Sequence, residues 1–191
     1  MTLSSTVSVS LGERSYKILI QAGLLSRLKG RLSELAVKGK VGVVTDRHVA
    51  RYYLSGMLRQ LKKCGVDAVP IVLPPGERSK KLDTITHILD VMARHRFERS
   101  SSLFALGGGV VGDITGFAAA IYQRGIPFIQ IPTTLIAQSD SSVGGKTGVD
   151  HRLGKNLIGA FYQPKEVWID PLTLRTLPMR EWVAGLAEVI K

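Results

Sequence analysis

Short apolar runs rich in β-branched residues alternate along the chain with apolar stripes of helical spacing. The runs predict buried strands at residues 41–45, 68–73, 102–106, 127–131 and 167–169. The stripes predict three helices with one inward face each. The inward residues are Leu25, Leu28, Leu32 and Leu35 in the first helix, Val49, Tyr53, Met57, Leu58 and Leu61 in the second, and Leu82, Ile85, Leu89 and Met92 in the third. An alanine-rich helix is expected to end near Tyr122. This alternation predicts an α/β domain, Rossmann-like, with a mostly parallel sheet and flanking helices.

The two ends of the chain carry further pattern. Residues 6–10 and 16–20, around Gly12, predict a hairpin on the sheet edge. From Met179 onward, apolar residues recur on one stripe of a helix, and the chain stops at Lys191 without a helix stop signal. We therefore expect an α/β domain over 1–177, and in 178–191 the first helix of a truncated helical domain.

Composition restricts the class of protein. With 191 residues, 45% hydrophobic and 21% charged, the chain is long and apolar enough to bury a core. The single cysteine, Cys64, suits a reducing compartment, and the apolar run 103–122 contains five glycines and Asp113, which does not suit a membrane span. We expect a cytoplasmic protein without a membrane partner.

The formal net charge of +11 favours anionic partners. The basic residues are spread along the chain without an aromatic-interleaved patch, which argues against nucleic acid. Phosphorylated small molecules fit this charge at least as well.

Residues 107–112 satisfy G-x-G-x-x-G between a predicted strand and a predicted helix, where backbone amides can hold a pyrophosphate. The alternative is a tight turn whose glycines only permit close packing. The acidic residue expected about 20 positions later is absent, because 130–134 contains no carboxylate. Asp46, just past a strand, is a candidate for the ribose, although it could equally cap the next helix.

Residues 140–147 resemble the end of a P-loop, but Asp140 stands where a Walker motif needs glycine. We interpret this stretch, with Lys155 and Asn156 soon after, as a loop that suits a polyhydroxylated anion. Lysines neutralise phosphate or carboxylate, and Asn and Asp satisfy hydroxyls. A solvated loop is the alternative. The four histidines are not spaced as a zinc site.

Together these residues resemble the dehydroquinate synthase family of sugar phosphate cyclases. The matching stretches are 75–77 with Lys80, 107–117, Tyr122 with 124–125, 132–135, 140–147, 154–159 and 185–191. The resemblance implies NAD and a divalent metal, usually zinc and possibly cobalt, between an α/β domain and a helical domain. It also implies a seven-carbon keto acid phosphate, DAHP, as substrate, which is oxidised, loses phosphate, is reduced and cyclises.

The resemblance also implies site residues. For NAD these are Asp46, Glu77, Lys80, Gly108, Gly109, Val110, Asp113, Thr133, Thr134, Thr176 and Leu177, with Lys155 between cofactor and substrate. For substrate they are Asp140, Lys146, Asn156 and Lys191, with Arg124 reaching a neighbouring subunit of a homodimer. Glu188 would be the first metal ligand. Since the other metal ligands would lie beyond residue 191, we expect the isolated chain to be inactive.

Three alternatives stay open at this point. Another sugar phosphate cyclase would share the cofactor motifs. A metal-dependent polyol dehydrogenase would share the two-domain plan, and a non-catalytic nucleotide-binding module would share only the α/β domain.

Overall fold

The structure, a computed structural model, describes residues 4–35, 37 and 39–190. The strands are β1 Ser4–Val9, β2 Tyr16–Gln21, β3 Val41–Asp46, β4 Ala68–Leu73, β5 Ser102–Gly107, β6 Phe128–Pro132, β7 Lys146–His151, β8 Gly154–Phe161 and β9 Glu166–Ile169. The α-helices are α1 Leu28–Glu34, α2 Arg47–Val49, α3 Ser55–Lys63, α4 Leu82–Arg94, α5 Gly109–Ile121 and α6 Met179–Ile190. A π-helical segment, Ala50–Leu54, joins α2 to α3.

Seven strands form one sheet in the order β1-β2-β9-β6-β5-β3-β4. All neighbouring pairs are parallel except β1 with β2, which form an antiparallel hairpin at the edge. The predicted α/β fold with a mostly parallel sheet is therefore confirmed, and so is the hairpin at the sheet edge.

Helices cover both faces of the sheet, which explains why the central strands read as nearly continuous apolar runs. Every residue of β5 is buried. On one face Phe104 and Leu106 pack with apolar residues of α1 and α3. On the other face Leu103 and Ala105 pack with apolar residues of α4 and α5. The period of two along the strand thus divides the core into two layers.

The interpretation of residues 140–147 as a loop is wrong for residues 146–147, which begin a strand, and Lys155 and Asn156 also lie on a strand. β7 and β8 form an antiparallel two-stranded sheet that packs on α5. Glycine permits the close approach: a Cβ on Gly116 would overlap Thr147 and lie 3.1 Å from Phe128 Cζ. The exposed, glycine-containing face of β8 gives a weak apolar alternation, so the period of a strand is hard to see in the sequence.

The last helix, α6, touches the domain along a narrow line. Gly185 is its one buried residue among those described, and a Cβ there would lie 2.5 Å from Leu135 Cβ. Val183 and Val189 of the predicted apolar stripe are 61% and 57% exposed. Across the part of the chain that the structure describes, no helix has the length and hydropathy to cross a membrane.

Candidate functional site

A cleft of about 840 Å³ opens at the carboxyl ends of the parallel strands. The chain leaves β3 toward β4 at one edge of the sheet and leaves β5 toward β6 on the other side, so the direction of winding reverses between β3 and β5. In open α/β sheets this reversal leaves a crevice that commonly binds ligands.

The floor of the cleft is the turn between β5 and α5. A Cβ on Gly108 would lie 3.0 Å from Thr134 Cγ2, and one on Gly109 would lie 2.9 Å from Ser141 Oγ. These two positions therefore have little room for a larger side chain. Because the first turn of a helix has backbone N–H groups without intrahelical acceptors, the amino end of α5 presents donors and a positive dipole to the cleft.

Two hydroxyl groups in the cleft point to a polar ligand there. Thr133 Oγ1 and Ser141 Oγ are buried, line the cleft and find no hydrogen-bond partner among the described residues. Buried hydroxyls are normally satisfied, so their free capacity fits an acceptor-rich group such as a diphosphate. The residues present thus fit the phosphates of a dinucleotide.

Asp46 lies at the end of β3 and lines the same cleft. Its Oδ1 accepts hydrogen bonds from the backbone N–H of His48 at 2.7 Å and of Val49 at 3.1 Å. The capping alternative is therefore correct. It does not exclude a ribose contact, since a carboxylate has a second oxygen with accepting capacity.

A buried polar network forms the opposite wall. Lys80, 6% exposed, places Nζ 2.5 Å from Asp113 Oδ2 and donates to Asn156 Oδ1 at 2.6 Å. Burial raises the pKa of Asp113 above 3.8, although the hydrogen bond and charge of Lys80 act in the opposite direction. One ammonium group thus links a carboxylate of α5 to an amide of β8.

Two further contacts hold the β7–β8 hairpin at the rim of the cleft. Lys155 Nζ lies 3.3 Å from Glu77 Oε1. The backbone N–H of Asp150 donates to the carbonyl of Lys80. Within the hairpin, Asp150 Oδ1 accepts a hydrogen bond from the backbone N–H of Asn156 at 2.8 Å. Asn156 has a positive φ of 56°, so this hydrogen bond stabilises a backbone conformation that most residues avoid.

The structure brings the expected NAD residues together. The cleft is lined by Asp46, Glu77, Lys80, Gly108, Gly109, Val110, Asp113, Thr133, Thr134, Thr176 and Leu177. Lys155 and Asn156 reach its rim from β8. Their roles toward a cofactor or substrate stay predictions.

The other expected residues lie away from the cleft lining. Asp140 is exposed in the π-helical segment Ala137–Ser141, and Lys146 is exposed at the start of β7. Arg124 is exposed in a turn with a φ of 66° after α5. Glu188 lies on α6, and Lys191 falls outside the described residues.

Sequence reasoning missed several cleft residues, above all Tyr52 and Tyr53. The pattern predicts Tyr53 on an inward stripe, which is confirmed because Tyr53 packs against the core, but it gives Tyr52 no role. A signal was available: two adjacent aromatic residues follow within seven positions of Asp46. Ser141, whose hydroxyl the loop interpretation had counted without a role, also lines the cleft.

No group of three His, Cys, Asp or Glu residues in the described part of the chain is arranged to hold a metal ion. Glu188 by itself does not fit the three protein ligands that a catalytic zinc site usually has.

The winding reversal, the glycine turn and the carboxylate at the end of β3 define a Rossmann-like α/β domain with a cleft suited to a dinucleotide. The chain belongs to the family described as 3-dehydroquinate synthase N-terminal, whose profile matches residues 70–184. A 3-dehydroquinate synthase of Azotobacter vinelandii is 58% identical over 97% of this chain and 50% of the relative. The chain thus spans about half the length of the curated relatives it matches.

Two solved structures of sugar phosphate cyclases resemble the whole domain. A 2-deoxy-scyllo-inosose synthase, solved with carbaglucose-6-phosphate, NAD⁺ and Co²⁺, has a TM-score of 0.89 at 26% identity and covers 97% of this chain and 51% of its own. The 2-epi-5-epi-valiolone synthase of Streptomyces hygroscopicus, solved with NAD⁺ and Zn²⁺, has a TM-score of 0.85 at 34% identity and covers 95% and 50%.

Proposed function

We propose that this chain is the NAD-binding part of a 3-dehydroquinate synthase, the lyase that converts DAHP to 3-dehydroquinate with loss of phosphate in the shikimate pathway. The observation that carries the proposal is the cleft, in which the Gly108–Gly109 turn faces the network of Lys80, Asp113 and Asn156. A site for a diphosphate therefore adjoins a site with amide and ammonium groups. A cytoplasmic location, which Cys64 suits, is part of the same proposal.

In this proposal the diphosphate of NAD lies against the N–H groups of the Gly109 turn, with the hydroxyls of Thr133 and Ser141 donating to it. Asp46 accepts from a ribose hydroxyl. Thr134, Thr176 and Leu177 form the remaining walls, and the nicotinamide end points toward Asp113 and Lys80. The lining of the cleft by all of these residues supports the assignment.

The substrate would bind on the hairpin side of the cleft. Lys146 and Lys155 would neutralise the phosphate and carboxylate of DAHP, while Asn156 and Asp140 would satisfy its hydroxyls. The ion pair of Lys155 with Glu77, at 3.3 Å, supports a position of the Lys155 ammonium between the two ligands. Arg124 and Lys191 keep their proposed contacts with substrate, the former from a neighbouring subunit.

When bound, NAD supplies a reversible hydride acceptor. Oxidation of a substrate hydroxyl makes the neighbouring C–H bond more acidic, which permits elimination of phosphate. The part of this chain is to hold the reacting carbon beside the nicotinamide and to exclude water. Asn156, fixed by Lys80 and Asp150, is suited to orient the hydroxyl that loses its hydrogen.

For the metal, zinc or cobalt, we propose Glu188 as one ligand. The remaining ligands, and the rest of the helical domain that would begin at 178, would come from the half of the relatives' length that this chain does not match. We therefore expect no phosphate release by the 191-residue chain alone. Robust steady-state release of phosphate from DAHP by purified chain would contradict this.

We propose a homodimer on the side of Arg124. Leu157 and Phe161 of β8 are 62% and 77% exposed, and Ile121, three residues before Arg124, is 44% exposed. These apolar side chains fit a self-complementary surface. Light scattering after gel filtration should give twice the mass of the chain, 20.8 kDa, and Phe161→Ser should shift it toward monomer. A monomeric wild type would overturn the homodimer.

The experiment that tests the function is calorimetric titration of NAD with and without DAHP. We expect NAD to bind, DAHP to tighten it, and NAD to tighten DAHP by the same factor, because coupling between sites is reciprocal. Gly109→Val should abolish NAD binding, whereas Gly56→Val, on an open helix surface outside the cleft, should not. A folded wild type that binds no NAD at millimolar concentration would contradict the proposal.

The resemblance to the inosose and valiolone synthases favours a second candidate, another cyclase of this superfamily. Competition between DAHP and hexose or heptulose phosphates for the coupled site distinguishes the two. Coupling of NAD to DAHP alone supports the first candidate.

A further inference from the structure

Two adjacent tyrosines line the wall of the cleft next to Asp46. Tyr52 and Tyr53 lie in the π-helical segment Ala50–Leu54, directly after the short helix α2. The wider turn of a π-helix reduces the angle between consecutive side chains, so both rings can reach the same cleft. Such local widening is frequent at functional sites.

The two rings have different surroundings. Tyr53 is half-buried, and its hydroxyl donates to the carbonyl of Thr173 at 3.0 Å and lies 2.6 Å from Thr176 Oγ1. This hydroxyl joins the segment after β3 to a segment about 120 residues later, across one end of the cleft. Tyr52 is 60% exposed, and its ring centre lies 6.1 Å from that of Tyr53. Tyr53 is thus held by hydrogen bonds, whereas Tyr52 is largely exposed and lines the cleft.

The position of Tyr52 matches one end of a dinucleotide. β3 and β5 are neighbouring parallel strands with Thr45 opposite Leu106, so Asp46 lies beside the start of the glycine turn. With a diphosphate at Gly109 and a ribose at Asp46, the base attached to that ribose would lie beyond Asp46, on the side away from the glycine turn. The wall next to Asp46 is formed by α2 and the π-helical segment, which follow Asp46 directly in the chain, so the base can reach Tyr52 from that ribose.

We propose that the ring of Tyr52 is the stacking platform for the adenine of NAD. The inference rests on the proposed function, since it takes the bound dinucleotide as its starting point. Adenine has no charge and two large π faces, and an exposed aromatic ring beside a ribose-binding carboxylate recognises it by stacking and by excluding water. The nicotinamide end lies on the other side of the diphosphate, near Asp113, and does not touch Tyr52.

The test compares Tyr52→Ala with the matched variant Tyr52→Phe, which keeps the ring and removes the hydroxyl. Calorimetry should give an NAD Kd within twofold of wild type for Tyr52→Phe and about tenfold weaker for Tyr52→Ala, as expected for loss of a stacked base. In the wild-type complex, nuclear Overhauser effects should connect adenine H2 or H8 to the Tyr52 ring protons.

The results that would overturn the platform are distinct. An NAD Kd for folded Tyr52→Ala less than threefold above wild type would do so, as would an equal loss in Tyr52→Phe, or adenine contacts that omit Tyr52. If Tyr52→Ala fails to fold, the wild-type adenine contacts decide alone. Absence of NAD binding to wild type overturns the proposed function together with the platform. If wild type binds NAD and Tyr52→Ala binds it with an unchanged Kd, only the platform is overturned.

Discussion

At the scale of single residues, Lys80 is the group on which the candidate site depends most. Its ammonium is nearly enclosed, and its two partners, Asp113 and Asn156, come from different elements. A buried charge without a partner is costly, so the three side chains fix one another. Asn156 is thereby oriented before any ligand arrives.

Replacing Lys80 by methionine should raise the pKa of Asp113 further. Burial already raises this pKa above 3.8, and the hydrogen bond and positive charge of Lys80 lower it, so removing Lys80 removes the opposing effect. Carboxyl carbon NMR titration measures the shift. Lys81→Met, which removes a surface partner of Asp83, is the control and should leave Asp113 unchanged. A pKa that falls in Lys80→Met would contradict the network.

Asp46 caps α2 and has a proposed ribose contact, and substitution can separate the two. Asp46→Asn keeps an oxygen that caps α2, so the free energy of unfolding should change by only a few tenths of a kcal/mol, whereas Asp46→Ala should lose about 1 kcal/mol. Loss of the charge in Asp46→Asn should favour NADP relative to NAD by about tenfold, since the carboxylate would repel a 2′-phosphate. Thermal unfolding and paired Kd values measure both. Unchanged cofactor preference would exclude a ribose contact.

At the scale of elements, α5 organises the domain. Its amino end forms the floor of the cleft. Its glycines allow the sheet to pack closely on one side and the hairpin on another. A Cβ on Gly112 would lie 2.9 Å from Gln130 Oε1, and one on Gly116 would overlap Thr147. The hairpin that carries Asn156 is therefore positioned by the same helix that would bind the diphosphate.

Gly116→Ala should destabilise the domain by about 1–3 kcal/mol, because the added methyl has no space between α5 and the hairpin. The matched control is Gly56→Ala in α3, where a Cβ meets nothing within 4 Å. That change should stabilise the domain by about 1 kcal/mol, as alanine does in an open helix. Urea unfolding measures both free energies. A Gly116→Ala domain as stable as wild type would show that the hairpin packs differently.

The elements also show what a sequence can predict. Strands such as β3 and β5 are buried on both faces, and the resulting apolar runs are visible in the chain. In β8 the consecutive residues Lys155, Asn156 and Leu157 are all exposed, which breaks the alternation typical of a strand, so the pattern resembles a loop. The π-helical widening after α2 leaves no mark in the apolar spacing, which predicts Tyr53 against the core but gives no sign that Tyr52 lines the cleft.

At the scale of the whole molecule, the parallel sheet gathers distant segments at one edge. Asp46, Gly108 and Thr133 each follow a different strand, and the sequence predicts their proximity because parallel strands share a carboxyl end. The contact of Lys80 with Asn156 joins residues 76 positions apart and depends on how the hairpin folds back. Such a contact cannot be read from spacing.

The central claim is that a dinucleotide diphosphate lies on the glycine turn at the amino end of α5. Backbone amide shifts of the ¹⁵N-labelled chain, followed during titration with NAD, test it most directly. We expect the largest changes on Gly108, Gly109 and Val110. Saturable binding whose shifts spare these amides and cluster elsewhere would contradict it.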